Sequence, residues 1–143
     1  MDVQLELKKY EGILTKGQRY APFAKNWNSE FPEEGGVYVL WDADDAVYVG
    51  ETSCIKCRMA DLSRPVNHPF PRKVAKFVLA SQLPLESLRI AISNRYKVSF
   101  CVALFGRAEI EEYLILRWRQ TLMNKPTKRL LQGTQYNWMK AES

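Results

Sequence analysis

Gly36-Val37-Tyr38-Val39-Leu40-Trp41-Asp42-Ala43-Asp44-Asp45-Ala46-Val47-Tyr48-Val49-Gly50 is the stretch on which the reading of this chain turns. Val37 to Trp41 and Val47 to Val49 are β-branched and aromatic, the residue types that suit a pleated, half-buried surface. The polar run Asp42 to Ala46 separates them, which predicts a β-hairpin with a loop of about five residues. Pairing Trp41 with Val47 sets Leu40 opposite Tyr48 and Tyr38 opposite Gly50. Tyr38 and Tyr48 then share one face, and a slip of one residue would part them. Gly50, lacking a side chain, leaves room beside Tyr38 for an approaching group.

Downstream the period changes. Ile55, Met59 and Leu62 recur at helical spacing, with Arg58 at the edge of that apolar face and Pro65 as the stop. Asn67-His68-Pro69 reads as a turn. A second helix follows, with Phe70, Val74, Phe77, Val78 and Ser81 inward and Arg72, Lys73 and Lys76 outward. Leu85 to Arg95 reads as a third helix, Val98 to Phe105 as a third strand, and about Arg107 to Met123 as a long helix ended by Asn124-Lys125-Pro126. Upstream, Val3 to Lys9 suits a short helix or a strand. Lys16 to Glu34 is loop and turn, pinned by Trp27 and Phe31. The tail from Thr127 is basic and then aromatic (Tyr136, Trp138), and no element is assigned to it.

The 143 residues suit one domain, and 46% hydrophobic with 26% charged residues is ordinary for a soluble protein. No apolar run approaches the ~20 residues that span a bilayer, and Met1 to Lys9 carries Asp2 and Glu6 with no apolar signal core. The expected location is cytoplasmic, with no membrane partner. A net charge of +5 favours polyanionic partners, because cations beside phosphates release counterions. The three cysteines, Cys54, Cys57 and Cys101, argue against a disulfide framework. Cys54-Ile55-Lys56-Cys57 could be half a zinc site or a redox pair, but Cys101 and His68 are not spaced as a second half. Reduced thiols are the expectation.

On a wheel of about 100° per residue, Ile110, Leu114, Ile115, Trp118 and Leu122 of the last helix span one arc. Glu111 falls inside it, whereas Glu109 and Glu112 fall on polar ground. A carboxylate on a core-facing stripe costs several kcal/mol unless compensated. Two explanations stand: a buried pair with a cation such as Arg58, or a metal ligand in a cleft. Asn124 divides likewise between a helix C-cap and a role at a site. His68, the lone histidine, is a packing residue or a proton-transfer group titrating at about 6.5.

Tyr38, Tyr48, Gly50, Arg58 and Glu111 taken together resemble the GIY-YIG nuclease family. Gly36-Val37-Tyr38 and Tyr48-Val49-Gly50 match its two motifs with Val for Ile. Its arginine on the following helix falls on Arg58, and its metal-binding glutamate falls on Glu111, with Leu114 and Ile115 three and four positions on. Glu112 is the competing alignment, and the wheel favours Glu111. The family's late asparagine falls on Asn124. The resemblance covers roughly Glu34 to Lys128, which suggests an N-terminal extension (1–33) packed on the domain, a nuclease-like domain (34–128) and a C-terminal tail (129–143).

The resemblance implies an α+β fold, a small three-stranded antiparallel β-sheet flanked by α-helices. It also implies a metal-dependent DNA endonuclease acting as a monomer or homodimer. Glu111 would hold one Mg²⁺, with Mn²⁺ as a substitute. Arg58 would clamp the phosphate, Tyr38 or Tyr48 would orient or deprotonate water, and His68 would assist or take that proton. Arg72, Lys73, Lys76 and Asn124 would contact DNA. The alternatives are a catalytically inactive nucleic-acid-binding module of the same fold, and a zinc or thiol-redox module on Cys54 and Cys57.

Overall fold

A computed structural model describes residues 2–79 and 84–124. It is built on an antiparallel sheet of three strands, β1 (Gly36–Asp42), β2 (Asp45–Thr52) and β3 (Tyr96–Val102), in the order β2-β1-β3. Helices cover both faces, which is why the central strand β1 is buried from Gly36 to Trp41. Tyr38, Leu40, Tyr48 and Val98 pack against α2 (Ile55–Leu62), α3 (Pro69–Lys73) and α4 (Leu85–Arg95). Val37, Val39, Trp41, Val49 and Cys101 pack against α1 (Val3–Lys16) and α5 (Arg107–Arg117). The fold is α+β, a three-stranded antiparallel sheet flanked by helices, as expected. Among the described residues no helix is long and apolar enough to cross a membrane.

The hairpin keeps the two pairs that matter, Leu40 with Tyr48 and Tyr38 with Gly50. Its loop is shorter than the expected five residues. Asp42 pairs with Asp45, so Ala43 and Asp44 alone make the turn, with Ala43 in the left-handed region at φ 53°. A bulge absorbs the difference: Trp41 pairs with Ala46 rather than Val47. Arg19 Nη1 donates to the Ala43 carbonyl at 2.9 Å, and Arg95 pairs with Asp42 at 2.9 Å, fixing the turn from two sides.

Several boundaries move for identifiable reasons. The first helix runs the full 14 residues of α1, because Asp2 caps the Leu5 N–H and Leu7 and Leu14 are both buried. β3 begins at Tyr96 and stops at Val102 because those residues pair with the two ends of β1. Leu104 and Phe105 lie beyond it and are exposed. α2 ends at Leu62, before Pro65. α5 ends at Arg117 rather than Met123. Trp118 packs edge-on against Trp41, and the chain then turns back along β2.

The second helix is also altered. After Lys73 it widens into a π turn, Val74–Val78, closed by the Leu79 N–H on the Val74 carbonyl. That extra residue in the turn swings Phe77, expected inward, out to 63% exposure. Phe70 and Val74 remain buried. Ser81 and the tail 129–143 lie outside the described residues.

Candidate active site

The hairpin brings Tyr38 and Tyr48 onto one face with ring centroids 6.4 Å apart. The space expected beside Gly50 is filled by Tyr38 itself. A Cβ at Gly50 would collide with the ring carbon and hydroxyl of Tyr38, so glycine there is a condition for the tyrosine's placement. Gly36 has a similar role. A Cβ there would meet the Cys101 carbonyl and Ile55, so the glycine lets β1, β3 and α2 close together.

His68 is fully buried between the two tyrosines, with ring centroids 5.9 Å from Tyr38 and 5.4 Å from Tyr48. The sequence His68-Pro69-Phe70-Pro71 explains its orientation. Prolines at the first and third helical positions carry no N–H, so Phe70 offers the one donor there, and His68 Nδ1 accepts it at 3.0 Å. A neutral imidazole that accepts at Nδ1 bears its proton on Nε2. Nε2–H therefore donates to the Tyr38 hydroxyl, 2.7 Å away. Burial, with the charges of Arg58 and Arg72, lowers the His68 pKa to about 3.

Arg58 projects from α2, whose buried face is Ile55, Met59 and Leu62. Its Nη1 donates to the Asn67 carbonyl at 2.9 Å and lies 3.4 Å from Asp61. The turn that carries His68 is thus anchored to the arginine, and the guanidinium charge acts on both tyrosines. Burial raises the hydroxyls of Tyr38 and Tyr48 above the ordinary phenol range. Tyr48 and Glu111 add to this for Tyr38 and Glu111 for Tyr48, and Arg58 opposes it.

Glu111 stands on α5, behind the sheet, and reaches the site around its open edge. Its Oε2 accepts the Glu51 N–H of edge strand β2 at 2.9 Å. Burial raises its pKa from 4.5 to about 7; the Glu51 N–H offsets part of this, and the charges of Glu51 and Glu112 add to it. Of the two explanations for Glu111, the ion pair with Arg58 does not form; Arg58 lies against Asp61 instead. Among the described residues no cation makes an ion pair with Glu111. The wheel misplaced Glu112, which is buried; α5 packs on α1 as well as on the sheet, so more than one of its faces is covered. Of the two, Glu111 is the one that reaches β2 and whose charge acts on both tyrosines.

Asn124 is not a helix cap. Its Oδ1 accepts the Val49 N–H at 2.8 Å and its Nδ2 donates to the Val49 carbonyl at 2.7 Å. With the Met123 N–H on the Val47 carbonyl, it closes the edge of β2. Asn124 also lines a groove of about 560 Å³ with Tyr48, Arg72, Lys73, Lys76 and Phe77. Arg72 Nη1 donates to the Pro65 and Val66 carbonyls, holding the α2–α3 loop.

Two contributions had no local signal: the Asn67 carbonyl that anchors Arg58, and Phe77 in the groove. Cys54 and Cys57, expected as reduced thiols, are joined in a disulfide across the first turn of α2. Their Cα atoms are 5.3 Å apart, within bridging range. Among the described residues no group of three or more His, Cys, Asp or Glu is arranged to hold a metal ion. A cation at this site would rest on the single carboxylate of Glu111. That fits a half-buried acid with no cationic partner among the described residues and an ion that keeps most of its water shell.

The protein is thus a three-stranded α+β domain with a buried Tyr-Tyr-His cluster flanked by an arginine and a carboxylate. No family model matches the chain, and no curated protein matches it. Its structure is similar to the crystal structure of the GIY-YIG N-terminal endonuclease domain of UvrC from Thermotoga maritima, bound to its catalytic divalent cation, magnesium. The TM-score is 0.44 at 18% identity, over 66% of this chain and 89% of that one.

Proposed function

We propose that this chain is a metal-dependent DNA endonuclease of the GIY-YIG type. The observation that carries the reading is a half-buried carboxylate with no cationic partner among the described residues, Glu111, whose charge acts on the same two tyrosines as that of Arg58. A divalent cation bound at Glu111, Mg²⁺ or Mn²⁺, would supply charge neutralisation at the phosphate and stabilise the leaving 3′ oxygen.

The protein's own groups divide the remaining work. Arg58 would bind non-bridging phosphate oxygens as charge develops on them. Tyr38 is a phenol at neutral pH, and its oxygen already accepts the His68 Nε2–H. Its own proton is therefore directed away from His68, where it can orient the attacking water. His68, with Nε2 already protonated and a lowered pKa, acts as a positioning residue and not as the proton acceptor. Its N–H would stabilise any negative charge that gathers on Tyr38. Attack of water on phosphorus breaks the P–O3′ bond; the water gives up its proton to bulk solvent, the leaving 3′ oxygen takes one up from solvent, and a 5′-phosphate and a 3′-hydroxyl remain.

The test is plasmid cleavage by wild type, Glu111→Ala and Arg58→Ala, with Mg²⁺ and with EDTA. The expected result is Mg²⁺-dependent nicking that both variants lose. Undiminished cutting by both variants would refute the site. DNA binding by wild type with no cutting in Mg²⁺ or Mn²⁺ would favour the inactive binding module.

A further inference from the structure

Phe77 is the one core-patterned aromatic of the α3 segment that the fold turns outward. The π turn Val74–Val78 rotates it to 63% exposure, and Lys76 Nζ sits 5.2 Å from its ring centroid. It lines the groove of about 560 Å³ that reaches Tyr48 and whose basic lining is Arg72, Lys73 and Lys76. A volume of that order holds a nucleotide-sized group. An exposed ring set among cations is the arrangement by which proteins grip unpaired bases: the ring stacks on a base and the cations track the phosphates. A base inside a duplex has both faces covered by its neighbours and offers no free face to such a ring.

We infer that this groove binds an unpaired nucleotide next to the scissile phosphate, its base stacked on Phe77 and its phosphates met by Lys73 and Lys76. The substrate is then nucleic acid with a single-stranded flap, gap or branch, rather than continuous duplex. This rests on the nuclease reading for the identity of the neighbouring phosphate, but the binding itself requires no cleavage.

The experiment measures binding by fluorescence anisotropy in EDTA, at fixed salt. The ligands are a blunt duplex and the same duplex carrying a short flap with 2-aminopurine at the junction. Wild type is expected to bind the flap at least tenfold more tightly and to quench the 2-aminopurine. Phe77→Ala is expected to lose about tenfold to a hundredfold for the flap, with the duplex unchanged. Phe77→Trp should retain the preference, which guards against a folding defect. Equal binding of both ligands by wild type, or a flap preference that survives Phe77→Ala, overturns the inference. Cleavage lost in Glu111→Ala while the Phe77-dependent preference remains supports both readings separately. A Phe77-dependent preference in a protein that never cuts supports the groove and removes the nuclease.

Discussion

Glu111→Gln should make the metal-free protein more stable at alkaline pH. Burial raises the carboxyl pKa from 4.5 to about 7. Between those values the folded protein holds a proton that the unfolded chain has lost. The stability this proton contributes is fully present below pH 4.5 and is gone once the pH has risen through 7. At about 1.4 kcal/mol per pH unit, the interval amounts to about 3.5 kcal/mol. Partial solvent screening brings this to about 2 kcal/mol. Glutamine matches the protonated acid in shape and still accepts the Glu51 N–H. Variant and wild type should therefore agree near pH 4.5 and diverge steadily up to about pH 7.5. Urea melts at intervals across pH 4.5–8.5 in EDTA would measure this. Adding Mg²⁺ should then rescue wild type alone, by about 2.7 kcal/mol at a hundredfold excess over its Kd. A stability difference that does not change with pH would refute the assigned burial of Glu111. Equal stabilisation of both proteins by Mg²⁺ would refute Glu111 as the ligand.

Tyr38→Phe removes the acceptor of the His68 Nε2–H and leaves a buried donor unsatisfied; it should cost about 1–3 kcal/mol in denaturant melts, with loss of cleavage. In wild type, nitrogen chemical shifts of His68 should report the Nε2–H tautomer unchanged from pH 8 to 5, because its pKa is lowered to about 3. Titration near 6.5 would contradict the buried geometry. Gly50→Ala forces a methyl into the Tyr38 ring and should destabilise by about 1–3 kcal/mol, seen as a lower midpoint in urea. Asn124→Ala frees the Val49 N–H and carbonyl and should sharply accelerate hydrogen exchange at Val49 while leaving that at Val39 in the central strand nearly unchanged.

What the sequence made legible was local. The residue types of Val37 to Trp41 and Val47 to Val49 marked a hairpin, and its Tyr38–Gly50 pair holds although the Trp41–Val47 pair from which it was counted is displaced by the bulge; the spacing of Ile55, Met59 and Leu62 marked the buried face of α2. The α4 helix follows its expected bounds, Leu85–Arg95. The failures came where distant parts of the chain decide. Phe77 follows an inward period that a π turn breaks, and Glu112 is buried on a helix face that the wheel read as polar. The space at Gly50 is occupied by a ring from the paired strand. The histidine's tautomer follows from two flanking prolines that leave one N–H to cap; the prolines were visible, but the cap required the three-dimensional turn.

The edge of β2 explains how a residue behind the sheet acts on tyrosines in front of it. Three successive outward positions of that strand are satisfied from the α5 side. Val47 is bonded by the Met123 backbone, Val49 by the Asn124 amide, and Glu51 by the Glu111 carboxylate. An unpaired edge invites association with another strand, and here it is closed by side chains as well as by backbone. One oxygen of Glu111 is held by the Glu51 N–H, so the direction of the acid is set by the backbone rather than by a cation. A carboxylate with two oxygens can meet that demand and still offer the second oxygen. The same hydrogen bond thus protects the strand and orients the acid. It offsets only part of the burial that raises the acid's pKa, and a bound divalent cation would offset the rest.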